Sequence, residues 1–282
     1  MYTYLKKPMP CEPVFKQSDY FLVILTDARH LDYTSNLSFF KTVAKHPDDA
    51  CKHGDVGHTW IYLQGIKNNE RIYLEGGYSG ESGRLQARYF DGIMNYIDFG
   101  YANPTSEELE SPRYEDNPAK YLWETQYDGF FQWGPGFHRP TYAAKVDISA
   151  EQFGRIWTFI NNFYYREYSI INSQCSSFAA QVASIAGLKL NCEVHIPIDA
   201  EMKIGGQNLH FWTDPTYALL TVSSPDMIER SLMEAVREGR AEYALEWYQK
   251  AYPEAWKTRS KRWRKNITRF PARLARYLLI IS

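Results

Sequence analysis

The chain has 282 residues, 44% hydrophobic and 16% aromatic, with 22 tyrosines and a formal net charge of −1. That length suits one large domain or one domain with an appendage, and the composition argues against a disordered chain. Four cysteines (Cys11, Cys51, Cys175 and Cys192) without a CxxC pair argue against a disulfide scaffold, and no apolar run of about 20 residues is present to span a bilayer.

The first fifteen residues hold basic side chains but no apolar stretch of signal-peptide length. The expectation is synthesis in the cytoplasm without a signal peptide, with later delivery by a dedicated secretion system left open. Tyr20–Thr26 is rich in strand formers, and a short helix is predicted around Leu37–Lys45. His58–Gln64 and Ile72–Glu75 flank a polar connection and read as a β-hairpin. Period two puts His58, Trp60 and Tyr62 on one face. Pairing Leu63 with Ile72 would set Trp60 opposite Glu75, and Glu75 diagonal to His58.

Gly76–Gly83 lacks both the GK[ST] ending of a phosphate loop and the G-x-S-x-G spacing of a serine elbow, so it is predicted as a flexible loop. Residues 98–140 carry many Pro, Gly, Asn and aromatic residues and read as a long excursion, a lid or substrate wall. Tyr142–Ile148 is a predicted strand. Ser149 and Gln152 form a capping box for a helix whose apolar face holds Phe153, Ile156, Trp157, Ile160 and Phe163.

The next helix begins at Cys175, with Phe178, Val182 and Ile185 in helical spacing and Gly187 as its stop. A helix N-terminus favours an anion, so a thiol there is expected to ionise below its usual value of about 8.5. The competing reading is a small buried thiol that packs like alanine. Neither Cys192 with His195 nor Cys51 with His53 has a second ligand pair at zinc spacing, so no metal site is expected.

Ser224-Pro225 marks the start of a helix running to about Arg237. From Lys257 onward there are nine Lys/Arg and no acidic residue, which leaves 23 basic against 33 acidic residues ahead of it. The tail interleaves these charges with Trp263, Phe270 and Leu274. It reads as an amphipathic segment for an anionic membrane, or as a helix that wraps the acidic body.

A histidine opening a strand, a carboxylate on the next strand and a cysteine heading a later helix are borne by G-H-T-W-I-Y-L (Gly57–Leu63), I-Y-L-E (ending at Glu75) and N-S-Q-C-S-S-F (Asn172–Phe178). That order resembles the circularly permuted branch of the papain-like NlpC superfamily, which includes lecithin:retinol acyltransferase-like proteins. The resemblance covers roughly residues 50–190. The family more often has asparagine directly before the cysteine, where this chain has Gln174, with Asn172 three residues before Cys175.

The resemblance implies an α+β fold with an antiparallel sheet packed on helices. The change of character from Ser223 divides the chain into a catalytic domain over 1–222, with the 98–140 excursion, and a basic helical extension over 223–282. The resemblance implies Cys175 as nucleophile, His58 as base and Glu75 as orienting residue, with Trp60, Asn172 and Ser176 as candidate substrate-binding residues and no cofactor. The expected activity is amide hydrolysis, in peptidoglycan peptides first, as in a delivered antibacterial effector. Acyl-ester chemistry on lipids and a catalytically inactive binding module of the same fold are the alternatives. Nucleic acid is not an expected partner.

Overall fold

The computed structural model describes residues 18–44, 56–80, 129–136, 138–169, 171–204, 207–210, 212 and 214–252. The fold is mixed α+β, built on a six-stranded antiparallel sheet in the order β10-β5-β1-β2-β3-β4. Its strands are β1 (Phe21–Asp27), β2 (His58–Lys67), β3 (Glu70–Ser79), β4 (Phe130–Trp133), β5 (Tyr142–Asp147) and β10 (Glu242–Tyr243). Every residue of the central β1 is buried, as expected for a strand covered on both faces. A short helix, α1 (Asn36–Ala44), lies between β1 and β2.

Period two divides the sheet into two apolar faces. One face presents Leu22, Ile24, Ile61, Leu63, Leu74 and Tyr78 to a large core. That core is completed by α2 (Ala150–Asn162), α3 (Cys175–Ile185) and α4 (Pro225–Arg237). The other face presents Phe21, Val23, Leu25, Trp60, Tyr62 and Ala143 to α5 (Leu245–Ala251), through Leu245 and Tyr248. Two smaller pairs lie outside this sheet: β6 (Glu193–Pro197) with β9 (Leu219–Ser223), and β7 (Glu201–Ile204) with β8 (Gln207–His210).

The helix starts follow their capping residues. Ser149 Oγ accepts the N–H of Gln152 at 3.1 Å, and Gln152 Oε1 accepts the N–H of Ser149 at 2.8 Å, forming the reciprocal box at α2. Its buried stripe is Phe153, Ile156 and Ile160, with Trp157 and Phe163 partly buried beside it. Gln174 caps α3, and Gly187 ends that helix with φ +85°, where the N–H of Leu188 reaches Ala183 O at 2.9 Å. Ser224 caps α4, followed by Pro225 in the first turn.

Three details differ from the sequence reading. The β2–β3 register pairs Leu63 with Leu74 and Tyr62 with Glu75, two residues away from the expected alignment. Gly76–Ser79 is strand rather than loop, because Phe130–Trp133 supplies it with a paired neighbour from within the expected excursion. Residues 81–128 lie outside the described residues, as does the basic tail from 253 onward. Residues 225–251, expected in an extension, add α4 and α5 to the cores and β10 to the sheet edge.

Candidate active site

Cys175 is the first residue of α3 and only 3% exposed. Its thiol donates to the Gln174 side-chain oxygen at 3.1 Å, and Ser176 Oγ lies 3.8 Å away. The backbone N–H groups of Thr59 and Ser176 and the hydroxyls of Ser176 and Tyr168 bear on the sulfur and favour its anion. Burial outweighs them: the thiol is pushed up from its ordinary value. The expected lowering at a helix N-terminus is therefore corrected, since a sulfur this far from water loses more by desolvation than these donors return.

Gln174 holds this arrangement together. Its Oε1 accepts from the Cys175 thiol and the Ser176 N–H, while its Nε2 donates to the carbonyl of Ser223. Ser177 Oγ completes the cap by accepting the Gln174 N–H at 3.0 Å. A chain of polar contacts thus ties the start of α3 to the end of β9.

His58 opens β2 and is 4% exposed. Gly57 delivers it: φ there is +90°, and a Cβ would fall 2.2 Å from the carbonyl oxygen of Asp27, so glycine alone fits. Thr59 faces α3, with its Oγ1 3.4 Å from Ser176 Oγ, so alternation turns His58 to the opposite face of the sheet. There its ring lies between Trp60, at 5.8 Å and 13°, and His138, at 4.8 Å and 30°. Its Nε2 is buried without a hydrogen-bond partner among the described residues. Burial, then the neighbouring charge of His138, push the His58 imidazole well below its ordinary value.

Among the described residues no hydrogen bond joins the Cys175 thiol to the His58 ring. The thiol is turned to Gln174 and the ring to its stack, with the Thr59 backbone between them.

Glu75 is not brought to His58. The two-residue register change sets it opposite Tyr62, where its Oε1 accepts from Trp60 Nε1 at 3.2 Å and from Tyr248 OH at 2.5 Å. Burial raises its carboxyl, and these two hydrogen bonds oppose the rise. In this position it braces α5 against the sheet. The carboxylate directly across from His58 is Asp27 on β1, which accepts from or pairs with His138 Nδ1 at 2.9 Å and Arg29 at 3.1 Å. Asp27 and His138 were missed in the sequence because strand pairing brings Asp27 there from 31 residues away, and His138 lies in a stretch without periodicity.

Trp60 and Ser176, expected among the substrate-binding residues, have no exposed surface and serve as packing and hydrogen-bonding groups. Asn172 is exposed and lines a shallow cavity of ≈ 300 Å³ with Ser177, Gln181 and Ser223, on the outer side of α3. Among the described residues no group of three or more His, Cys, Asp or Glu side chains is arranged to hold a metal ion, and no helix is long and apolar enough to cross a membrane.

No family model matches the chain, and no curated protein or solved structure is detectably similar to it.

Proposed function

We propose that the chain is a cysteine hydrolase in which Cys175 is the nucleophile and His58 the base, on a permuted papain-like fold. The observation that supports this most is the convergence of donors on one sulfur. Four groups that favour a thiolate surround Cys175, and one of them is the backbone N–H of the residue next to His58. His58 meanwhile has a buried nitrogen with no hydrogen-bond partner among the described residues, a costly arrangement unless the nitrogen has a use.

In the reaction, the thiol leaves Gln174 and gives its proton to His58. The thiolate attacks the substrate carbonyl carbon, forming a C–S bond, and the N–H groups at the start of α3 stabilise the oxyanion. The C–N bond breaks as His58 returns the proton to the leaving amine. Water then hydrolyses the thioester, giving a carboxylic acid and the free thiol. In the structure the thiol rests on Gln174, so this reading requires Sγ to leave Gln174 and reach past the Thr59 backbone to His58.

The favoured substrate is an amide bond in a peptide, with peptidoglycan stem peptides first among them. Incubation with purified peptidoglycan and, separately, with anionic liposomes, followed by mass spectrometry of the products, tests this. New amine and carboxylate ends from peptidoglycan, lost in Cys175→Ala, support the amide reading. Released fatty acid from the liposomes would replace it with lipid acyl-ester chemistry. No product from either would leave a binding module.

A further inference from the structure

Resting on the hydrolase reading, we propose that His138, anchored by Asp27, is the residue that positions His58 and governs its protonation, the role that order along the chain had pointed to in Glu75. His138 Nδ1 is 2.9 Å from Asp27 Oδ2, so its ring is fixed by a buried carboxylate. That ring lies over His58 with centroids 4.8 Å apart, and Trp60 lies 5.8 Å away and nearly parallel, so the plane of His58 is set by its two neighbours. Ring edges, rather than ring faces, carry the nitrogens. Stacking therefore fixes where Nε2 points without using it, and among the described residues Nε2 has no hydrogen-bond partner.

The charged and titratable groups around His58 assign the control to His138. From β1 come Asp27 and the adjacent Arg29, which pair with each other. From the segment before β5 comes His138, and from α3 the thiol of Cys175. On β3, Glu75 is committed to Trp60 and Tyr248, and Tyr248 is the nearest titratable group of α5. Among the described residues only His138 is both in ring contact with His58 and able to carry a like charge, and its Nδ1 lies against the Asp27 carboxylate. A positive His138 opposes a second proton on His58 and keeps it in the neutral form that accepts a proton from a thiol. With about a quarter of its side chain exposed, His138 also connects this buried ring to water.

The test is the imidazole NMR titration of the full-length protein with no substrate present, alongside the pH profile of turnover. His138→Phe keeps an aromatic ring in the stack and removes the charge. The His58 midpoint is expected to shift to higher pH, and the acid limb of kcat/KM to shift with it while the alkaline plateau is largely kept. His138→Ala, which removes the stack as well, is expected to lower the plateau at every pH. His138→Gln makes the same charge test should the phenylalanine variant not fold. An unmoved His58 midpoint in both folded charge-removing variants, or a shift produced by Glu75→Gln in their place, overturns the proposal. Because the titration needs no turnover, a shifted midpoint in a protein that hydrolyses nothing would remove the hydrolase reading and leave the control of His58 by His138 standing.

Discussion

A thiol at the first residue of a helix is pulled two ways. The donors around Cys175 favour its anion, while 3% exposure removes the water that an anion needs, and burial prevails. Iodoacetamide at pH 7 is therefore expected to label the half-buried Cys192 before Cys175, reversing the order that a helix N-terminus alone implies; peptide mapping at a series of pH values reads this directly. The same burial makes stability depend on pH. Because the His58 pKa is lowered on folding, the unfolded chain takes up a proton below its ordinary 6.5 that the folded chain refuses, and stability falls as the medium becomes more acidic. Because the Cys175 pKa is raised, the unfolded chain releases a proton above 9.0 that the folded chain keeps, and stability falls there too. Thermal midpoints measured across this range should show His58→Gln losing less stability than the parent between pH 6.5 and 5. Equal losses in the two proteins would show that His58 is not the group responsible.

The strands and capped helices are legible in the chain because each carries its own local signal: the strand-forming run of Tyr20–Thr26, the Ser149–Gln152 box, Ser224 before Pro225, and glycine after Ile185 and Ala186. What was not legible is how the strands align. The faces of β2 and β3 survive a two-residue change of register because the side-chain period is two, but the distance between His58 and Glu75 does not. Glu75 therefore becomes a brace. Tyr248→Phe removes the 2.5 Å hydrogen bond to its carboxyl and should cost about 1–3 kcal/mol in denaturant unfolding. Glu75→Gln should cost less, since its amide oxygen can still accept from Tyr248 and Trp60. In the larger core, Phe178 touches the rings of Tyr78, Phe131, Phe159, Phe163 and Tyr165, so Phe178→Ala should cost about 3–5 kcal/mol. A loss under 1 kcal/mol would mean that α3 is not seated on this face.

Across the whole molecule, a single sheet carries the candidate chemistry between two apolar layers, and residues 225–251 belong to those layers. Truncation within that range should yield insoluble protein. Truncation after Trp256 is a different experiment: it removes all nine basic residues of the tail. If the tail binds anionic membrane, liposome association should disappear and turnover of a small soluble substrate should remain. Binding by the full chain should also weaken with salt, because exposed charges are screened within about 8 Å at physiological ionic strength. Unchanged association after truncation would assign the membrane contact to the body. Under the proposed function Cys175 forms a covalent acyl intermediate with help from His58, and intact-protein mass spectrometry after brief exposure to a small activated acyl ester detects it. One added acyl group is expected at Cys175, absent in Cys175→Ala and strongly reduced in His58→Ala. No adduct on Cys175, or one that forms equally well in His58→Ala, would contradict it.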